Sequence, residues 1–122
     1  MFILDINMKE IKELLKITKT ILIPYGSIEE HGHHLPLGTD SYIVIEVLKK
    51  IQEIKKVFIA PPIFYGVCTS TKQHLGTITI TPSALRIITR DIIKSFYNNG
   101  FRTFLLVSGH GGGIHINAIR EV

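Results

Sequence analysis

Two short apolar runs, each followed at once by polar, glycine and histidine residues, constrain the fold of this chain more than any other feature. The first run is Ile21-Leu22-Ile23-Pro24, and the second is Phe104-Leu105-Leu106-Val107. Runs of this length without alternating polar residues are typical of strands buried on both faces, as in a parallel sheet. Segments with helical spacing lie between and around them, so we expect an α/β protein.

Helix signals and strand signals alternate along the rest of the chain. Thr39 or Asp40 is expected to cap one helix, and Thr81-Pro82 is expected to begin another that ends at Asn99-Gly100. The predicted elements are helices at about 8–15, 40–51, 82–98 and from 114 onward, and strands at 21–25, 57–60, 77–80 and 103–107. The alternation predicts a three-layer α/β/α fold with a mainly parallel sheet.

The length of 122 residues suits a single domain covering residues 1–122. The last predicted helix has only about two turns when the sequence ends at Arg120-Glu121-Val122 without a capping residue. We therefore expect the chain to be a truncated form of a larger single domain.

Composition excludes several classes of protein. The formal net charge of +4 comes from scattered lysines rather than from a dense basic stripe, so no nucleic-acid partner is predicted. The apolar stretches are far shorter than the roughly 20 residues of a membrane span, and Asp5 interrupts any signal-peptide pattern, so no membrane partner and a cytoplasmic location are predicted. The single cysteine, Cys68, excludes an intrachain disulfide and a cysteine-rich zinc site, which leaves oxygen and nitrogen as the expected metal ligands.

Four side chains are expected to meet at one edge of the sheet. Glu29 and His31 are two residues apart and can point the same way on extended chain, and Asp40 stands at the start of the next helix. His110 follows a different strand, and the carboxyl ends of parallel strands share one edge. Two carboxylates and two imidazoles suit Zn²⁺, Mn²⁺ or Fe²⁺. The alternative interpretation is that these residues are solvated loop residues and a helix cap.

A bridging carboxylate, for which Asp40 is the natural candidate, could hold two metal ions about 3.5–4 Å apart. Such a centre lowers the pKa of bound water to about 7 and makes hydroxide available for attack on a carbonyl. His34 is a candidate for orienting a ligand or touching substrate. His33, His74 and His115 are expected to be surface residues or residues that support the site.

The glycine run Gly111-Gly112-Gly113 precedes a predicted helix and has two interpretations. Its main-chain N–H groups could bind a phosphate or an oxyanion. It could equally form a tight turn that requires positive φ angles, and the sequence does not decide between these. Cys68, which has no identified base, is expected to be a packed small apolar residue rather than a nucleophile.

Residues 24–40, PYGSIEEHGHHLPLGTD, resemble the signature of the creatininase (creatinine amidohydrolase) family. Tyr65-Gly66, Gly76-Thr77-Ile78 and Gly109-His110-Gly111-Gly112 are similar to its two later motifs, in the same order. The resemblance implies an α/β/α fold, two divalent metal ions, hydrolysis of a non-peptide C–N bond in an amide or lactam, and a homo-oligomer. By motif position, Glu29, His31, Asp40 and His110 match the metal ligands, with Asp40 as the bridge.

The sequence departs from the family pattern at several positions. Creatininase has a glutamate ligand two residues after the histidine that matches His110, where this chain has Gly112, so a fifth ligand is expected from water or from sequence beyond Val122. Ser108 and Gly113 stand where many relatives have asparagine. Thr71 and His74 fall where a histidine and an apolar residue are usual. These differences argue against creatinine as the substrate.

The family also includes an archaeal deformylase that acts on a formamidopyrimidine ribonucleotide on the route to flavin and deazaflavin cofactors. A glycine-rich loop able to hold a phosphate fits such a phosphorylated nucleotide. The sequence therefore predicts a metal-dependent amidohydrolase for a small-molecule amide, with His34, Gly111 and Gly112 as substrate contacts and a general acid beyond Val122. A creatinine-type lactam hydrolase and a non-catalytic phosphate-binding α/β module are the alternatives.

Overall fold

A computed structural model describes all residues, 1–122, as a three-stranded parallel sheet flanked by helices. The strands are β1 (Thr20–Tyr25), β2 (Phe58–Ile59) and β3 (Thr103–Ser108), in the order β2-β1-β3. The helices are α1 (Met8–Leu14), α2 (Thr39–Ile54), α3 (Pro82–Asn98) and α4 (Gly113–Arg120), and a short 3₁₀ turn spans Ile3–Asp5. No helix combines the length and the apolar character that crossing a bilayer requires.

The central strand β1 contributes to an apolar core on each face of the sheet. Ile21 and Ile23 point to one face, where they join a cluster that includes Leu85 of α3 and residues of α4. Leu22 points to the other face and packs with Val44 of α2. Because successive side chains of a strand face opposite ways, one buried strand serves both layers. The predicted three-layer α/β/α fold is confirmed.

The two long helices begin differently. Thr81 caps α3, its side chain accepting a hydrogen bond from the Ala84 N–H at 3.1 Å, as the sequence predicted. The cap residue of α2 is Gly38, which has no side chain to offer. The prediction that Thr39 or Asp40 caps α2 is wrong. Asp40 lies in the first turn, and its carboxylate is engaged outside the helix.

Residues 77–80 do not form the predicted strand. Their only ladder contact is an isolated antiparallel bridge between Ile28 and Ile78. The hydroxyl of Thr77 accepts a hydrogen bond from the Glu30 N–H at 3.0 Å, and that of Thr79 accepts one from the Cys68 N–H at 2.9 Å. The main-chain N–H groups of Ile78 and Ile80 donate to the carbonyls of Ile28 and Gly66, which lie on two separate segments, so no continuous ladder forms.

Strand β3 is less buried than its apolar sequence predicts. Leu105, in its middle, is 49% exposed. The strand lies at one edge of the sheet, with β1 as its only neighbour. The expectation of a strand covered on both faces is therefore wrong for β3, although it holds for β1.

Candidate metal centre

The four residues proposed from the sequence come together where β1 and β3 end and α2 begins. A side chain at position 109 would collide with the main-chain oxygen of Asp40, so only glycine lets β3 end this close to α2. The Gly109 N–H also donates to the Tyr25 carbonyl at 2.9 Å, which holds the end of β3 against β1. This close packing brings His110 next to Asp40.

The Asp40 carboxylate lies between two imidazoles. Its Oδ1 is 3.0 Å from His31 Nε2, and its Oδ2 is 2.8 Å from His110 Nδ1. Ser27 Oγ donates a further hydrogen bond to Oδ2 at 2.8 Å. Asp40 is only 8% exposed and lies in the first turn of α2.

Glu29 supplies the second buried carboxylate. Its Oε1 accepts a hydrogen bond from Thr71 Oγ1 at 2.5 Å, and its Oε2 is 2.9 Å from His110 Nδ1. His110 Nε2 donates its proton to the Val67 carbonyl, so Nδ1 of the neutral ring has no proton for either carboxylate. The ion pairs of the lysine and arginine side chains lie elsewhere on the surface. Two buried carboxylates without a basic partner require a cation or protonated histidines.

Hydrogen bonds to carbonyl groups determine which nitrogen each histidine presents. His31 Nδ1 lies 2.9 Å from the Glu29 carbonyl and donates to it, which leaves Nε2 facing Asp40. His110 Nε2 lies 3.1 Å from the Val67 carbonyl and donates to it, which leaves Nδ1 facing the carboxylates. Metal-binding histidines characteristically donate their other N–H in this way. The donor set therefore fits divalent cations.

The two histidines differ in exposure. The side chain of His31 is 22% exposed and that of His110 is 6% exposed. The hydrogen bond to the Glu29 carbonyl raises the pKa of His31 and the Asp40 carboxylate adds to the rise, although burial opposes it. His31 thus stands at the rim of the centre, and His110 lies inside it.

The sequence left His115 as either a surface residue or a residue that supports the site, and the structure places it behind the site. It is fully buried in α4, its Nδ1 accepts a hydrogen bond from the Val67 N–H at 3.1 Å, and its ring packs edge-on against His110 with centroids 4.8 Å apart. Its Nε2 has no partner. Burial, assisted by His110, lowers the pKa of His115 to about 4. The spacing of His115, Ala118 and Ile119 on one helix face is the sequence signal that would have placed it inside.

Cys68 also lies at the centre. It is 1% exposed, as expected for a packed residue, and burial, with Glu29 and Asp40, raises the pKa of its thiol to about 11. Its sulfur and donor atoms of Glu29 and His110 all lie within 4.8 Å of one another. The thiol is therefore a further potential ligand atom beside the oxygen and nitrogen donors predicted from the sequence.

The glycine loop does not form the tight turn that was one of its two interpretations, because none of its three residues has a positive φ. Gly112 is required for another reason: a Cβ there would lie 2.6 Å from His110 Nε2 and 3.2 Å from the Val67 carbonyl oxygen. A Cβ on Gly111 would meet nothing within 4 Å. His34, the other candidate substrate contact, is exposed on the loop between β1 and α2. His33 and His74 are exposed as well.

Comparison with known proteins shows the family of this chain. Residues 4–122 match the family model described as creatininase, creatinine amidohydrolase. This chain belongs to the creatininase family. It is 34% identical over 108 residues to a 3-dehydro-scyllo-inosose hydrolase of Thermotoga maritima, covering 86% of this chain and 34% of that protein. It is 35% identical over 114 residues to a mycofactocin precursor peptide peptidase of Mycobacterium ulcerans, covering 84% and 45% respectively.

Solved structures of creatininase share the fold. A crystal structure of creatinine amidohydrolase superposes with a TM-score of 0.88 at 22% identity, covering 98% of this chain and 49% of that one. Similar structures include a form of creatininase described with Mn and a variant described as Zn–Zn type. The chain spans less than half the length of the curated relatives named above.

Proposed function

We propose that this creatininase-family chain holds two divalent metal ions and forms the metal-binding part of a hydrolase that cleaves a C–N bond in a small-molecule amide. The observation that carries the proposal is the position of Asp40, whose two oxygens face His31 Nε2 and His110 Nδ1 at 3.0 and 2.8 Å. A carboxylate in this position can bridge two ions. Glu29 and His110 would then bind the ion on the buried side.

The candidate ions are Zn²⁺, Mn²⁺ and Fe²⁺, since imidazole and carboxylate ligands suit all three. The Mn and Zn–Zn forms of structurally similar creatininases support the first two. When bound, such ions supply a water of lowered pKa and polarise a substrate carbonyl.

The chain's own residues hold the donors in place. Ser27 fixes the Asp40 carboxylate and Thr71 fixes that of Glu29, so neither has to reorganise when a substrate arrives. Because His31 is more exposed than His110, we place the substrate carbonyl on the His31 side. No residue of the described site is assigned as the general acid.

The candidate reaction is deformylation of a formamidopyrimidine ribonucleotide in flavin or deazaflavin cofactor biosynthesis. Its support is the glycine loop: the space beside Gly111 is open, and Gly112 caps α4 without a side chain, so main-chain N–H groups can reach a phosphate. A creatinine-type lactam hydrolase is the alternative reaction. One similar protein is named as a peptide peptidase, so whether this chain's protein cleaves a peptide bond or a non-peptide C–N bond has to be tested directly.

A non-catalytic phosphate-binding module is the second candidate function, and the same open loop favours it. If the chain is such a module, nucleotide binding should be unaffected by chelators. If it is part of a hydrolase, turnover should be lost with EDTA and restored by metal. The cytoplasmic location, the homo-oligomer and the single domain 1–122 stay predictions.

The deciding experiment compares Asp40→Ala with Glu46→Gln, a carboxylate change on the exposed side of the same helix. Metal content is measured by elemental analysis, and activity by formate release from a formamidopyrimidine nucleotide and by hydrolysis of creatinine. We expect two ions per wild-type chain, loss of both ions and of turnover in Asp40→Ala, and no change in Glu46→Gln. Unchanged metal content and turnover in Asp40→Ala would contradict the proposal.

A further inference from the structure

The sulfur of Cys68 lies inside the proposed metal centre, on its buried side. Cys68, Glu29 and His110 are 1%, 8% and 5% exposed, and one donor atom from each lies within 4.8 Å of the other two. Zinc bonds to sulfur and to imidazole nitrogen are about 2.3 and 2.0–2.1 Å. A small inward movement of these side chains would bring all three donors to one ion.

A second observation, independent of the thiol, points to a cation at this place. Because His110 Nε2 donates to the Val67 carbonyl, Nδ1 of the neutral ring carries a lone pair, and it faces Asp40 Oδ2 at 2.8 Å and Glu29 Oε2 at 2.9 Å. The side chains of His110, Asp40 and Glu29 are only 6%, 11% and 10% exposed. Acceptor atoms that face one another with no proton between them, beside the Cys68 sulfur, indicate a missing positive charge.

Position 112 does not provide a further side-chain ligand here. A Cβ on Gly112 would lie 2.6 Å from His110 Nε2, within the hydrogen bond that orients His110. A ligand for the buried ion therefore has to come from a different segment.

The main chain around Cys68 is held in a fixed position. The Cys68 N–H donates to Thr79 Oγ1 at 2.9 Å, and the preceding N–H, that of Val67, donates to His115 Nδ1 at 3.1 Å. The Val67 carbonyl in turn orients His110. The sulfur is thus positioned by the same peptide unit that positions the neighbouring histidine.

We propose that Cys68 binds, as a thiolate, the metal ion that Glu29, Asp40 and His110 hold. The inference rests on the proposed metal centre. When the ion binds, the S–H bond breaks, its proton leaves to solvent and a sulfur–metal bond forms, with no change of oxidation state. Because thiolate is a soft ligand, the buried site favours Zn²⁺ and Co²⁺ over Mn²⁺ more strongly than a site of oxygen and nitrogen ligands does.

The test uses the full chain, freed of metal and then loaded with Co²⁺. We expect the wild-type protein to show a thiolate-to-cobalt charge-transfer band in the near ultraviolet, and both Cys68→Ser and Cys68→Ala to lack it. Zn²⁺ affinity should fall at least 10–100-fold in both variants, whereas Mn²⁺ affinity should change much less. Ser70→Ala, an exposed change on the same loop, is the matched control and should keep the band. Circular dichroism shows that each variant remains folded.

The outcomes separate this inference from the proposed function. Full cobalt binding by the wild-type protein without the band, or a band that survives in Cys68→Ala, would overturn the thiolate ligand and leave the metal centre standing. Failure of the wild-type protein to bind cobalt, zinc or manganese would overturn both proposals.

Discussion

His31 and His110 face the same carboxylate, but different parts of the chain hold them in place. His31 is held by near neighbours in sequence: it donates to the Glu29 carbonyl two residues away and meets Asp40 nine residues away. His110 meets Asp40 across 70 residues and Val67 across 43. One half of the centre is therefore built by a single loop, and the other half exists only once the sheet and α4 have assembled.

The difference also shows in exposure and in charge. His31 is at the rim, and its pKa is raised by a carbonyl and a carboxylate. Behind His110 lies His115, whose pKa burial lowers to about 4. A raised pKa adds stability that is lost as the pH rises through it, whereas a lowered histidine pKa costs stability at acid pH. The rim and the interior should thus respond to pH in opposite directions.

The largest expected effect is acid destabilisation of the metal-free protein through His115. In the unfolded chain this histidine takes up a proton near pH 6.5, but in the folded chain it does so only at about 4. The free energy of unfolding should therefore fall by up to about 3 kcal/mol as the pH drops from 6.5 to 4. Urea unfolding of EDTA-treated protein measures this fall.

His115→Leu should remove that part of the pH dependence, because leucine does not titrate. The exposed His74→Gln should retain it in full. Parallel curves of stability against pH for wild-type protein and His115→Leu would show that His115 does not carry the effect.

Gly112→Ala is expected to have the next largest effect, and it should be confined to the buried half of the centre. The added methyl group would displace His110 from its hydrogen bond with Val67. Loss of such a bond behind a metal-binding histidine costs 10–100-fold in affinity, about 1.4–2.7 kcal/mol. Isothermal titration calorimetry with Zn²⁺ should show one weakened site and one unchanged site.

Gly113→Ala is the control for this variant, since a Cβ there meets nothing within 4 Å. Its two sites should titrate as in the wild-type protein. Equal weakening of both sites by Gly112→Ala would show that the halves do not differ as described.

The smallest expected effect is that of Thr71→Val, which removes the hydroxyl that donates to Glu29 Oε1. A hydrogen bond to a charged group is worth about 1.5 kcal/mol or somewhat more, so metal affinity should fall roughly tenfold. The exposed Thr69→Val on the same segment should leave the affinity unchanged. An unaltered affinity in Thr71→Val would mean that Glu29 keeps its orientation without this donor.

The difference between local and long-range contacts also explains which features of the fold and the site could be predicted from the sequence. The apolar run of β1, the cap at Thr81 and the spacing of Glu29, His31 and Asp40 are local patterns, and they predicted the layers of the fold and the rim of the centre. The predicted strand at 77–80 forms only one bridge, because the N–H groups of Ile78 and Ile80 bond to two separate segments, at Ile28 and Gly66, rather than to one neighbouring strand.

The supporting roles of Val67, Cys68 and His115 depend on contacts between segments that are about 40 or more residues apart. The helical spacing at His115 indicates burial, but no sequence pattern indicates which of these segments contact one another. The requirement for glycine at position 112 could likewise not be predicted from the sequence. It arises from the close approach of His110 and Val67, and not from the φ angles of the turn itself.

The main chain of Val67 has one further consequence. Its N–H is bonded to one imidazole and its C=O to another, while the segment that follows it runs through Cys68 and Thr71 to the fully exposed side chain of Leu75. A ligand that shifts this segment on binding must change the affinity of the centre for its cation. Thermodynamic linkage then requires the cation to change the affinity for that ligand by the same factor.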